Sequence, residues 1–425
     1  MEQIRLFLIV LCLAGYSLAH ASDKFTGEQV LGLLLFQDKN LSRNRNQACS
    51  SCHALTPVTT LGSPFNRVPG FVDPANIKNG SAVSAGSFPA RRGSLNAPSI
   101  AYAAYSPLFH WDENEGLYIG GQFWNGRSSN LLSQAKQPFL NQAEMAMPNK
   151  WSVVSRLKEN PVYRQLFREI YAIDLSAVAF YPKSTNPQPT NPAAIENIYH
   201  HLAKAIGELE KSPLFNKFNA KFDYAINGKT DFTPIEKRGF ELFEKKANCA
   251  ACHISHVEKD GKGRIKPPLF TDFTYDNIGL PRNINIPNNP EPNLGLGGRS
   301  DIAKKDENGN EIGKHKVMSL RNVAITPPYG HNGVLSTLEQ IVHFYNTRDT
   351  LEVMPDNNAP GFGKKGWPKP EIGRNVNHDE LGDLQLTPEE ERAIVAFLLT
   401  LTDDYPLWGK DPKIPPGTPS PYAKN

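Results

Sequence analysis

Four of the five cysteines in this 425-residue chain lie in two copies of one short motif, which constrains the fold more than any other feature. The copies are Cys49, Cys52 and His53 in the sequence CSSCH, and Cys249, Cys252 and His253 in the sequence CAACH. Paired cysteines of this kind form disulfides in exported proteins, bind zinc or exchange thiols with a partner. The histidine that follows each pair favours another use, which is the covalent attachment of a c-type haem.

The spacing of the motif matches the geometry of a porphyrin. Two intervening residues place both thiols along one edge of the ring, where each adds to a vinyl group. The next residue turns its imidazole towards the iron, so His53 and His253 are the expected axial ligands. We therefore predict two covalently bound haems c, attached through the cysteines of the two motifs.

Residues 1–21 have the pattern of an export signal peptide. Arg5 supplies the positive charge, Leu6–Gly15 form the apolar segment, and Ala19 and Ala21 form a small-x-small cleavage site. Cleavage there would remove Cys12 and leave only the motif cysteines. A buried first helix is the alternative interpretation. We expect an exported, periplasmic protein.

Charge and hydropathy argue against two classes of partner. Lys and Arg (46) exceed Asp and Glu (43) by only three, and no basic block suggests nucleic-acid binding. After the N-terminal segment, no apolar run reaches the roughly 18 residues of a membrane-spanning helix. The 32 glycines, 35 prolines and sparse strand patterns predict a loop-rich, mainly α fold.

Similar helical segments precede the two motifs, which indicates an internal duplication. They are Gly32–Phe36 (GLLLF) and Gly239–Phe243 (GFELF). We predict two cytochrome c-like haem domains in tandem, at residues 22–216 and 217–425, with the boundary in the polar stretch 217–228. Capping sequences predict one helix that starts after Thr233 and another that starts after Thr387, and residues 183–191 are typical of a loop.

A chain with two haems can transfer electrons, react with peroxide or sense a ligand. The axial ligands decide among these, because a haem with two protein ligands passes electrons whereas an open position admits peroxide or oxygen. The residues opposite His53 and His253 therefore determine the function.

Further motifs carry a resemblance that covers nearly all of the mature chain. They are Leu34–Asp38 (LLFQD), Phe123–Arg127 (FWNGR), Leu269–Phe273 (LFTDF), Ser319–Asn322 (SLRN), Thr326–Gly333 (TPPYGHNG) and Val395–Thr402 (VAFLLTLT). With the two cysteine motifs, this set resembles bacterial dihaem cytochrome c peroxidases and the related MauG-like enzymes. The resemblance implies hydrogen peroxide as substrate, and as partner a protein substrate or a small redox protein, either a cytochrome c or a cupredoxin.

The resemblance implies an open first haem. In the peroxidase branch, a histidine in the loop after the first motif caps the resting iron, but here residues 54–94 contain no His, Met or Cys. The sixth position is then empty or water-filled, as in the MauG-like branch, unless His110 swings in.

Four family positions around that haem are present at matching spacing. Trp124 corresponds to the tryptophan between the haems, and Gln134, Pro138 and Glu144 correspond to the distal residues. Peroxide cleavage needs a proton moved between its two oxygens, which a carboxyl in a partly apolar pocket can do. Glu144 is the expected acid and base, and Trp124 the expected relay; the alternatives are a solvated surface glutamate and an ordinary core tryptophan.

The second haem distinguishes the branches. The peroxidases bind its iron with a methionine fourteen residues after the histidine of the Pro-x-x-His-x-Gly segment, and counting from His331 gives Tyr345, the ligand type of MauG-like enzymes. A thioether favours ferrous iron, whereas a phenolate stabilises oxidised iron. The rival ligands are Met354, Met318 and His343.

The family also holds a calcium ion between the haems. The matching positions are Asn96, Thr326 and Pro328, and oxygen donors suit Ca²⁺. An extra segment, residues 111–121, precedes Trp124 and could reshape the surface that meets a substrate.

Three functions stay open on the sequence. The first is a MauG-like enzyme that uses peroxide to oxidise Trp or Tyr side chains of a partner protein. The second is a peroxide-scavenging cytochrome c peroxidase. The third is a dihaem electron carrier, which would require a sixth protein ligand at the His53 haem.

Overall fold

A computed structural model describes residues 25–179, 191–259, 261–289 and 291–423 of the chain. The predicted signal peptide at 1–21, with Cys12, lies outside the described residues, and so do residues 183–190 of the predicted loop. Within the described ranges, no helix is both long and apolar enough to cross a membrane.

The described residues are helix-rich with small sheets, which confirms the prediction of a mainly α, loop-rich fold. The helices are α1 (Gly27–Gln37), α2 (Cys49–Cys52), α3 (Pro74–Asn79), α4 (Leu131–Ala135), α5 (Lys150–Glu159), α6 (Pro161–Tyr171), α7 (Pro192–Glu210), α8 (Lys221–Ile226), α9 (Pro234–Glu244), α10 (Ser300–Ala303), α11 (Leu338–Thr347), α12 (Pro388–Leu399) and α13 (Tyr405–Trp408).

Strands occur as two-stranded ladders in the described part of the chain. The antiparallel pairs are β1 (His110–Asp112) with β2 (Leu117–Ile119), β3 (Glu258–Lys259) with β4 (Ile265–Lys266), and β5 (Tyr275–Asp276) with β6 (His315–Lys316); β7 (Glu352–Met354) pairs in parallel with β8 (Gly366–Pro368).

Two compact units divide the chain, and they do not follow chain order. The first unit contains the described residues up to 51, together with 86–91 and 132–215. The second contains 52–85, 92–131 and the described residues from 216 onwards. The tandem boundary near 217–228 stays a prediction, and that stretch itself forms helix α8 because it carries the buried Phe222 and Tyr224.

In the first unit, α1 packs closely against α7. The side chain of Thr26 accepts a hydrogen bond from the Gln29 backbone, and the Gln29 side chain accepts one from the Thr26 backbone, which caps the start of α1. A Cβ atom at Gly32 would overlap the carbonyl of Ala205 and touch Leu209 of α7. Glycine is therefore required where these two helices cross.

The second unit repeats this arrangement with α9 and α12. A Cβ at Gly239 would overlap the carbonyl of Ala393 and touch Phe397, again one turn further along the partner helix. Thr233 and Thr387 cap α9 and α12 as the sequence predicted, each with a glutamate three residues later. Gly32 and Gly239 thus occupy equivalent positions of two similar helix pairs.

A buried ion pair joins distant segments of the second unit. The Arg321 guanidinium donates to both carboxylate oxygens of Asp223 at 2.7 and 2.9 Å, and both side chains are 0% exposed. Arg321 also donates to the carbonyl of Pro268, and the Leu320 backbone N–H donates to the carbonyl of Phe270. The pair therefore helps to fix the 268–270 segment beside the second cysteine motif.

Candidate functional site

The histidines of the two motifs are held in the same way. His53 Nδ1 lies 3.2 Å from the carbonyl oxygen of Phe71, and His253 Nδ1 lies 2.8 Å from that of Phe270. Both phenylalanines have left-handed backbones, with φ of 52° and 54°. A carbonyl can only accept, so Nδ1 carries the proton in both rings and Nε2 keeps its lone pair for a metal.

Both imidazoles are suited to bind iron in the neutral form. Desolvation lowers the pKa of His53 below its ordinary value, and it lowers the pKa of His253 to about 4. Neutral imidazole is the form that binds metals. Both rings are therefore already neutral at pH 7 and do not have to release a proton before they bind iron.

The second pair of cysteines is unsuited to thiol exchange. Burial raises the pKa of the Cys249 and Cys252 thiols to about 12. Thiol exchange needs the thiolate form, which is scarce at neutral pH under these conditions. Among the described residues, no group of three or more His, Cys, Asp or Glu side chains is arranged to hold a metal ion.

Buried polar atoms in the second unit fit a haem. His331 Nε2 and both amide atoms of Asn76 are buried without a hydrogen-bond partner in the described part of the chain. Leaving such groups unsatisfied is costly. A haem propionate could accept from the Asn76 amide N–H and from His331 Nε2 in its protonated tautomer, so these two donors fit the predicted cofactor.

Tyr345 lies beside the second motif. Its side chain packs with Cys249 and Ala250 against the main core of the second unit. Burial raises the pKa of the Tyr345 phenol above its ordinary value, and the neighbouring Cys249 and Cys252 thiols add to this effect. A metal ion is the kind of partner that would stabilise the phenolate at such a position.

The alternative iron ligands that the sequence offered lie in surroundings different from that of Tyr345. His343 Nδ1 is 2.9 Å from the Glu391 carboxylate, so its ring is already engaged. Met354 is on β7 and is half-buried, and Met318 is half-buried as well. His110 is exposed on β1, with Nδ1 at 2.8 Å from the carbonyl of Leu108.

In the first unit, one tight loop carries Pro138 and Glu144. The Met145 backbone donates to the carbonyl of Pro138 at 3.2 Å, and the Asn141 amide donates to the Glu144 carboxylate at 2.6 Å. Glu144 is half-buried, and its role as the catalytic carboxyl stays a prediction. Gln134 lies in α4 just before this loop.

In the second unit, Trp124 is hydrogen-bonded to Asn96, one of the predicted calcium residues. Its indole N–H donates to the carbonyl of Asn96 at 2.9 Å, and the Asn96 backbone N–H donates to the carbonyl of His331 at 2.8 Å. Asn96 is therefore close to the segment that contains Thr326 and Pro328. Its side-chain oxygen and the carbonyls of that segment are the groups that could bind calcium.

Sequence reasoning missed a buried group beside Trp124. The rings of His315 and His331 stack with centroids 3.6 Å apart, and the edge of Trp124 meets His331 at 6.4 Å. The Glu371 carboxylate lies 3.6 Å from His331 Nε2. These residues have no regular spacing in the chain, so no sequence pattern could have found the group.

Comparisons with known proteins place the chain among dihaem peroxidases. The family model described as di-haem cytochrome c peroxidase matches residues 27–231. The methylamine utilization protein MauG of Paracoccus denitrificans is 37% identical over 383 residues, which cover 88% of each chain. The cytochrome-c peroxidase IdrP2 of a Pseudomonas species is 27% identical and covers 93% of this chain and 86% of its own length.

A solved structure is also similar. The crystal structure of the diheme peroxidase BthA from Burkholderia thailandensis matches with a TM-score of 0.68 and 26% identity. The match covers 93% of this chain and 90% of that one.

Proposed function

Because the chain belongs to the MauG-like dihaem cytochrome c peroxidase family, we propose that it is a periplasmic enzyme that uses hydrogen peroxide to oxidise a partner protein. His53 would hold the haem at which peroxide is reduced, and His253 would hold a second haem that could share the oxidising equivalents. The electrons come from Trp or Tyr side chains of the partner. It is a dihaem peroxidase-type oxidoreductase.

The observation that carries this proposal is the position of Tyr345. The half-buried Tyr345 side chain lies beside Cys249 and Cys252 of the second motif, whereas His343 is engaged by Glu391. Haem iron, when bound, supplies the site where peroxide is reduced and where oxidising equivalents are held. A phenolate ligand favours the oxidised state of the second haem, so that haem is suited to hold oxidising equivalents until a slow protein donor delivers electrons.

At the first site, Glu144 moves the proton. Its carboxyl takes a proton from the near oxygen of peroxide and returns it to the far oxygen, which then leaves as water. The Asn141 amide, 2.6 Å away, orients the carboxyl for this transfer. Pro138 and Gln134 shape the same side of the site, and Trp124 connects the two haems.

Two further features belong to the proposal. The repeated helix pairs around Gly32 and Gly239, with the repeated His–Phe hydrogen bonds, support two cytochrome c-like haem domains. Asn96, Thr326 and Pro328 would bind one calcium ion, and the Asn96 carbonyl also accepts the indole N–H of Trp124.

Peroxide scavenging with electrons from a cytochrome c or a cupredoxin is the second candidate. Relatives named cytochrome-c peroxidase cover as much of the chain as MauG does, which favours it. A scavenger needs a second haem that accepts electrons readily, and a thioether ligand would serve this better than a phenolate.

The substitution Tyr345→Met tests the choice between protein oxidation and peroxide scavenging. We expect the variant to raise the reduction potential of the second haem, measured by spectroelectrochemistry of the holoprotein, and to shorten the lifetime of the peroxide-oxidised state. Tyr345→Phe is the control, because it removes the phenol without adding a thioether. An unchanged potential and spectrum in both variants would rule out Tyr345 as the ligand and weaken the protein-oxidation proposal.

A further inference from the structure

A line of aromatic rings runs inward from the surface of the second unit. Trp111 is on β1, in the extra segment 111–121, and its side chain is 41% exposed. It pairs with Tyr118 of β2 across the hairpin, with ring centroids 4.9 Å apart. Large aromatic side chains at a surface are a common feature of protein interfaces.

The line continues through two more rings. Tyr118 stacks on Phe109 with centroids 5.2 Å apart and planes at 6°, and Phe109 meets Tyr275 edge-on at 6.0 Å. Tyr275 is only 4% exposed. The rings thus form a continuous contact path from solvent to the interior of the unit.

The inner end of the path reaches the Trp124 turn. A Cβ at Gly126 would collide with the Tyr275 hydroxyl and the Phe109 ring, so only glycine allows the turn to approach so closely. Lys316, the strand partner of Tyr275, donates its backbone N–H to the Trp124 carbonyl at 2.8 Å. Tyr275 is therefore coupled to Trp124 through a strand pair and one hydrogen bond.

Two basic side chains hold this arrangement in place. The buried Lys316 ammonium donates to the Ser106 hydroxyl at 2.6 Å and to the Gly121 carbonyl at 2.5 Å, which ties together both ends of the hairpin. Arg299 lies 4.1 Å above the Phe109 ring and donates to the carbonyl of Gly126. Fixed distances favour efficient electron transfer, because the rate falls steeply as the separation grows.

The surface around the outer end is acidic. The hairpin turn carries Asp112, Glu113 and Glu115, of which both glutamates are exposed. The nearby Asp301 and Glu311 carboxylates are paired with Arg299 and Lys314, so the local negative charge comes from the hairpin turn itself. This local charge contrasts with the net charge of +3 of the whole chain, so the hairpin is suited to a partner with a basic face.

We propose that the β1–β2 hairpin is the docking surface for a basic protein that donates electrons, and that Trp111 is the residue through which they enter. This inference rests on the proposed function. Trp111 gives one electron inward along the rings and its indole proton to water, then takes an electron from the donor protein and a proton from water. Two such rounds supply the two electrons that, with two protons, convert one peroxide into two waters.

The first experiment follows the holoprotein with peroxide and no donor. We expect tryptic peptide mass spectrometry to find oxygen added to Trp111 and not to the half-buried Trp151, and we expect Trp111→Phe to prolong the oxidised state of the haems. A haem spectrum that ignores peroxide would overturn the proposed function. The haem spectrum could respond to peroxide while Trp111 stays unmodified and the oxidised state decays equally fast in Trp111→Phe and Trp151→Phe. That result would overturn this inference alone.

The second experiment uses reduced horse cytochrome c, a small donor with a basic face. Glu113→Gln combined with Glu115→Gln should lower kcat/KM for its oxidation about tenfold at low ionic strength, with a smaller effect at high salt. Glu258→Gln, an exposed glutamate on β3, is the matched control and should leave the rate unchanged. Equal rates for the double variant and the control would refute docking at the hairpin.

Discussion

The substitution Asp223→Asn tests whether the buried ion pair with Arg321 supports the second haem site. Asparagine keeps the size of the side chain and one acceptor oxygen, but it turns an NH₂ group towards the guanidinium. Removing one partner of a buried pair costs about 3–5 kcal/mol, because the other charge is left buried. Asp403 also interacts with Arg321 and partly offsets the loss, so we expect the lower end, about 3 kcal/mol.

The assay is urea unfolding of the holoprotein, followed by circular dichroism and by the haem absorption band. Asp231→Asn is the matched control, because the Asp231–Lys413 pair is similar in length at 2.8 Å, but its side chains are 84% and 60% exposed. Exposed pairs contribute little to stability. We also expect Asp223→Asn to perturb the second haem spectrum, because Arg321 holds the segment whose Phe270 carbonyl orients His253. If both variants unfold at the same urea concentration, the reasoning is wrong.

Three further predictions concern the acid, a buried carboxyl and a helix crossing. Glu144→Gln keeps an acceptor for Asn141 but cannot hold the proton, so stopped-flow absorbance should show peroxide reacting about 100- to 10,000-fold more slowly; an unchanged rate would exclude Glu144. Burial raises the pKa of Asp403 to about 6, so the folded state keeps a proton that the unfolded state loses near pH 4. Stability should therefore fall by about 3 kcal/mol as pH rises from 4 through 6, and Asp403→Asn should show a flatter profile in thermal unfolding. Gly239→Ala should lower the thermal midpoint, because its methyl group overlaps the Ala393 carbonyl, whereas Gly261→Ala, where a Cβ meets nothing, should not.

The haem motifs and the helix starts could be predicted from the sequence, because each depends on only a few neighbouring residues. The capping residues Thr233 and Thr387 act within four residues of themselves, so their effect can be read from the sequence. Gly32 and Gly239 likewise play the same part in the two helix pairs, because each lets the partner helix approach closely.

Long-range contacts could not be predicted in the same way. Asp223 and Arg321 are 98 residues apart, and His315 and His331 stack without any periodic spacing. Such pairs depend on how loops fold over the helices. Residues 52–85 and 92–131 belong to the second unit, which the sequence did not predict either. Loops carry no periodic pattern that would assign them to one core or the other.

Electron paramagnetic resonance of the fully oxidised holoprotein, before and after one equivalent of hydrogen peroxide, tests the central claim most directly. We predict one high-spin ferric signal from the open His53 haem and one low-spin signal from the His253–Tyr345 haem. Both signals should fall together on peroxide addition without prior reduction, because the two haems share the oxidising equivalents. Two low-spin signals that do not respond to peroxide would contradict the account and favour an electron carrier.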